Sequence, residues 1–372
     1  MLGELLNGSN YPDFKLDWMI HFGIVYRMNA VLPDLSNPSW TTELVQLLVG
    51  AMDEIIRLDE RVSASSLAAP WSLRASWSGY ARALQAQGAE IEEIDIFSHE
   101  CGIPLPSREP IFTLTDPFAA LPAWRAGFVY NGRRHWTDGL EFAFSPPQGW
   151  ANRPALLRAL DLTARQARAI GTADAWLGLP LLLQRLGVTR NLLPNLVVGD
   201  KAIRLAPRDS RIISRYFRAL RLAASDGLAV IESMERDRLQ AAAALAQSFR
   251  PGNLMALSAL RMHLPVLSPT RVAAELGLTL SGAGKLLARA QELGLIVQAQ
   301  PRHNWRVYLN PDLAVRFGFA PTPRGRPPSP PPVTQELDSM LAAFDAEMAE
   351  FEKLPAFEVR GPSENTDQDH ME

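Results

Sequence analysis

Residues 277–296 read "GLTLSGAGKLLARAQELGLI", and two incompatible folds can be drawn through them. The run Gly282-Ala283-Gly284-Lys285 has the composition of a phosphate-cradling loop, which would place a strand before it and a nucleotide above it. That loop needs glycine six residues before its lysine and Ser or Thr directly after, with a buried strand leading in. Thr279 and Leu286 occupy those two positions, and the preceding "PTRVAAELG" has helical spacing, so the loop is rejected. The other reading starts one helix earlier. Ser268 can cap a helix, and Pro269 can take its first position, where a missing N–H costs nothing. Gly277 suits the left-handed residue that ends such a helix, and Thr279 caps the next one. In that second helix Ala283, Leu286, Leu287, Ala290 and Leu293 form the inward stripe, while Leu280, Ser281, Gly282, Gly284, Lys285 and Arg289 face mostly outward. Gly294 terminates it.

Downstream, "LIVQ" (295–298) and "WRVYL" (305–309) are β-prone runs separated by "AQPRHN", whose Pro and Asn supply turn chemistry. Short helix, tight turn, longer helix, two-stranded wing: residues 264–310 resemble the winged helix-turn-helix of bacterial regulators. The resemblance implies binding to double-stranded DNA. Its second helix departs from the usual face of Ser, Thr, Arg, Asn or Gln, offering two glycines and a leucine beside Ser281 and Lys285. Thin base readout is therefore expected, with phosphate contacts from Arg271, Lys285, Arg289, Arg302 and Arg306. Ser281 and the wing residues Arg302, His303 and Asn304 supply the base or groove discrimination, on a helix capped by Thr279. Use of the same unit only for protein contact or dimerisation is the competing reading.

Over a longer span the chain resembles an alphaproteobacterial, often plasmid-borne family catalogued as a domain of unknown function followed by a C-terminal helix-turn-helix. The stretches that carry this likeness are "RLDERVSASSLAAPWSLRASWSGYARALQAQGAEIEEID" (57–95), "ASDGLAVIESMERDR" (224–238) and the 264–310 unit. It implies a DNA-binding protein of uncharacterised role and transfers no catalytic residue.

The rest of the sequence fits a mainly α chain. With 372 residues and 47% hydrophobic content it can bury a large core. Residues 41–62 and 71–88 have amphipathic helical spacing, and so do "RPALLRALDLTARQARAIG", "TADAWLGLPLLLQRLG", "SRIISRYFRALRLAASDG" and a run from Leu228 to about Phe249. Cys101 to Trp150 reads as irregular, with a short helix near Phe118 to Gly127. Expected units are an N-terminal helical region (1–130), a helical domain (150–263), the winged unit (264–318), a proline-rich linker (319–333) and an acidic tail (334–372). In that tail Leu337, Met340, Leu341, Phe344, Met348 and Phe351 share one helical face from Thr334 to Leu354, so the segment needs a partner: its own body, a second subunit in a homodimer, or another protein.

From Thr334 onward there are 11 acidic and 2 basic residues, leaving 35 basic against 29 acidic in residues 1–333. Residues 201–263 hold 11 Lys and Arg against 5 Asp and Glu, which suits a polyanion but also an ordinary solvated helix. One cysteine, Cys101, excludes an internal disulfide framework, and the N-terminus lacks a signal-peptide pattern, which points to the cytoplasm. No apolar run approaches the roughly 20 residues of a membrane span.

Enzymatic readings find little support. The His and glycine pattern of the Fic adenylyl-transfer family is absent, leaving at most a degenerate scaffold of that kind. His99 and Cys101 lack further ligands at metal spacing, and Glu90, Glu92, Glu93 and Asp95 read as a solvated acidic edge. No cofactor and no catalytic residue is expected.

Overall fold

The computed structural model describes residues 34–103, 116–129, 135–137, 140, 142–205, 211–248, 251–299, 306–321 and 334–353. They are mainly helical, with one small three-stranded antiparallel sheet. Helix α1 (Thr42–Ala64) starts at Thr41, whose hydroxyl accepts from the Leu44 N–H, and buries Leu44, Ala51, Ile55, Leu58 and Val62. Helix α2 (Ala68–Gln87) ends at Gly88 in the left-handed conformation expected there. At the start of helix α3 (Glu93–Cys101) the acidic edge is solvated at Glu90 and Glu92 but not at Asp95, which is buried and forms a reciprocal capping box with Glu92, satisfying N–H groups that would otherwise be orphaned. Helices α4 (Leu121–Val129), α5 (Ala155–Ala169), α6 (Asp174–Leu177), α7 (Leu179–Arg185) and α8 (Lys201–Leu205) follow.

Helix α9 is a single rod from Ile212 to Ala246, about 52 Å long at 1.5 Å per residue. Gly227, where the sequence suggested a break, lies inside it for a packing reason. A Cβ there would sit 2.3 Å from Asn195 Nδ2, and a Cβ on Gly79 of α2 would sit 2.1 Å from the Pro194 carbonyl oxygen. The 3₁₀ turn Pro194–Leu196 is thus seated in two glycine notches, with Asn195 Nδ2 donating to the Ala223 carbonyl at 2.7 Å. Alongside, α1 and α9 run parallel, clasped by Arg218 with Glu43 and Arg61 with Glu235.

Beyond α9 come α10 (Leu254–His263), β1 (Val266–Leu267), α11 (Pro269–Glu275), α12 (Leu280–Glu292), β2 (Val297–Gln298), β3 (Tyr308–Leu309), α13 (Pro311–Arg316) and the tail helix α14 (Gln335–Glu352). The sheet order is β1-β3-β2, with Val266 and Val297 both opposite Leu309. The sequence suggested two strands; β1 is the third, too short at two residues to show a period. One continuous apolar core runs from Leu35 to Phe351 and takes in residues of every unit, including Val272, Leu287 and Phe344.

Candidate nucleic-acid interface

Helices α11 and α12 form as their sequence dictates. Ser268 Oγ accepts from the Arg271 N–H at 3.2 Å, Pro269 fills the first turn, and Gly277 turns the chain with φ of 60°. Thr279 Oγ1 then accepts from the Gly282 N–H at 3.1 Å and starts α12. Ala283, Leu287 and Ala290 are buried, with Leu286 and Leu293 partly so, and Gly294 closes the helix with φ of 71°. Leu295 and Ile296 then plug the core on the way into β2.

The outward side of α12 carries Leu280, which is 60% exposed, with exposed Ser281, Lys285 and Arg289. A Cβ on Gly284 would meet nothing within 4 Å, so the fold itself does not require glycine there. Other sequence-chosen basic residues are less free. Arg271 forms an ion pair with Glu275 at 2.8 Å on its own helix, and Arg289 Nη2 donates to Ser248 Oγ at 2.9 Å at the end of α9. Arg306 is exposed at the approach to β3. Arg302, His303 and Asn304 lie outside the described residues.

Among the described residues, four of the basic residues of 201–263 are held in ion pairs: Arg215 with Asp200, Arg218 with Glu43, Arg238 with Asp345 and Arg261 with Asp237. Arg261 is the case sequence reasoning missed. It is fully buried, with Nη1 2.7 Å from Asp237 and donating to the Leu295 carbonyl at 2.9 Å, while Asn310 Nδ2 donates to the Arg261 carbonyl at 2.9 Å. Burial pushes the Asp237 carboxyl above its usual range, with Arg261 pulling it back down. A second buried pair, Arg74 of α2 with Asp312 of α13, stands beside it.

The tail helix α14 folds as expected, capped by Thr334, and turns Leu337, Phe344, Met348 and Phe351 inward against α9 and α10. Arg238 pairs with Asp345 and stacks on Phe344. His263, near Phe351, is held neutral by burial, its pKa lowered to about 4. His99 stacks on Phe118 and the Cys101 thiol is pushed up by burial; no group of three His, Cys, Asp or Glu among the described residues is placed to hold a metal. Nor is any described helix long and apolar enough to cross a membrane. No protein-family model matches the chain, and no curated protein matches it either.

Proposed function

We propose that the chain is a DNA-binding protein, a transcriptional or plasmid-associated regulator, that acts through a winged helix-turn-helix built from α11, α12 and the β2–β3 pair. The observation that carries this reading is the capped, tightly turned α11–α12 pair, whose second helix leaves Leu280, Ser281, Gly284 and Lys285 uncovered on its outer side. Ser281 and the methyl-free Gly284 suit close approach to a groove, and Lys285, Arg289 and Arg306 suit phosphates. No catalytic role is assigned to any residue.

The test is retardation of a duplex taken from upstream of the protein's own coding sequence, titrated over a range of salt. Binding should weaken with a log–log slope of about −0.9 per phosphate neutralised. Absence of retardation at moderate salt overturns the reading in favour of a unit used for protein contact.

A further inference from the structure

Between α2, α9 and α13 lies a cleft of about 190 Å³, an order of magnitude more than the ~10–15 Å³ that one water needs. Three arginines enter it: Arg74 and Arg82 from α2, and Arg316 from α13. A guanidinium carries five N–H donors and no acceptor, so three bring about fifteen donors. Few are used. Arg82 donates to the Asn195 carbonyl and to Asp226, each at 2.7 Å; Arg316 Nη2 reaches Glu93 at 2.5 Å; Arg74 Nη1 holds Asp312. Arg74 is only 3% exposed, yet its Nε and Nη2 have no acceptor. Leaving such donors dry and unpaired costs about 1–3 kcal/mol each. Burial lowers the pKa of Arg82, and Arg316 adds to this, while Asp226 and Glu93 oppose it. Asp226 and Glu93, which also line the cleft, already answer the charge of Arg82 and Arg316, so what stays unmet is the surplus of donors, and an acceptor-rich anion relieves it. Ala75, Ala81 and Val230 give the cleft an apolar wall for a short carbon skeleton.

We infer that this cleft binds a small oxyanion ligand, a carboxylate or phosphate compound, through Arg316 and Arg82 with Arg74 behind them. The inference is independent of DNA binding. The full-length protein is titrated calorimetrically with citrate and with inorganic phosphate against chloride at matched ionic strength. Saturable binding of citrate alone assigns carboxylates, and of phosphate alone, phosphoryl groups. Arg316→Gln is the decisive variant, because Arg316 is 41% exposed and its loss leaves the core intact. It should weaken either affinity about tenfold or more, with unchanged circular dichroism. Arg153→Gln, remote from the cleft and paired with Asp34, should bind as the native chain does. No saturable binding of either anion up to about 100 times a micromolar range, or equal binding by Arg316→Gln, overturns the assignment.

Discussion

Replacing glycine by alanine at three helical positions should give opposite signs for a reason that local propensity alone does not contain. Gly79, Gly227 and Gly284 all lie within helices, at ordinary negative φ, where alanine is favoured by about 1 kcal/mol. At Gly284 a methyl group meets nothing within 4 Å, so the full gain should appear as a stabilisation of about 1 kcal/mol. At Gly79 the methyl would lie 2.1 Å from a backbone carbonyl, and ordinary contact begins at 3.4 Å, so the Pro194 turn must retreat by about 1.3 Å. At Gly227 it would displace the Asn195 amide, 2.3 Å away, and break its 2.7 Å bond to Ala223. Overpacking costs about 1–3 kcal/mol, and a stranded buried amide about 1–3 more, which exceeds the propensity gain. Net losses of about 2 kcal/mol are expected at Gly79 and Gly227. Urea denaturation of the three variants beside the native chain measures this, with midpoints compared at similar slope. If Gly227→Ala is as stable as the native protein, the notch account of the Pro194–Leu196 turn is wrong.

Four further outcomes are expected. The triple variant Lys285→Ala, Arg289→Ala, Arg302→Ala should flatten the salt dependence of DNA binding by up to about three units of phosphate contact, read by retardation at several salt concentrations; an unchanged slope removes these residues from the interface. Gly284→Ala, though stabilising, should weaken DNA binding several-fold in the same assay, since its methyl intrudes on the outer side of α12. Phe344→Ala with Met348→Ala should destabilise α14 by about 3 kcal/mol or more and render residues 334–353 sensitive to protease, because both side chains are buried on α9 and α10. His263 should make stability fall on acidification. Its folded pKa of about 4 is below the ordinary 6.5, so the contribution is complete above pH 6.5, declines as pH drops toward 4 and is flat below. The loss is at most about 3 kcal/mol, less after screening, and His263→Phe should abolish this part of the pH dependence in unfolding titrations.

Much of the helical architecture was legible because helix periodicity and caps are local. Ser268, Thr279 and Thr334 cap where their side chains and the following apolar spacing place them, and Gly277 and Gly294 turn the chain as expected. What the sequence misassigned depends on distant partners. Gly227 looks like a terminator until the Asn195 side chain that fills its notch is known. Asp95 looks like part of a solvated edge but is buried in the cap of α3, and Glu93 nearby reaches Arg316 more than two hundred residues away. Strand β1 owes its existence to β3, 42 residues on, since two residues have no period of their own. The tail offered three possible partners on its apolar stripe, and its packing on its own body brings together Arg238 with Asp345 and the stripe with α9 and α10, contacts that no local pattern encodes. Arg74 and Arg261 are the hardest case, because a charged residue is expected outside, and only the acids facing them keep them within.

Those two arginines also determine how freely α11 and α12 can move. Arg261 on α10 contacts Asp237 of α9, the Leu295 carbonyl after α12 and the Asn310 side chain before α13, so one buried group bridges the long helix and both ends of the β2–β3 segment. Arg74 ties α13 to α2 through Asp312. Removing one partner of a buried pair strands the other charge at about 3–5 kcal/mol, a cost that a surface hinge would not impose. The segment that carries the proposed DNA face is therefore not a bead on a flexible string: moving it against the helical body means opening these contacts together. Arg74 also forms the back of the arginine cleft, and Arg316 closes it from the far end of the same short helix α13. An anion drawing Arg74 and Arg316 together would act on both ends of α13 at once, and so on β3, which immediately precedes it.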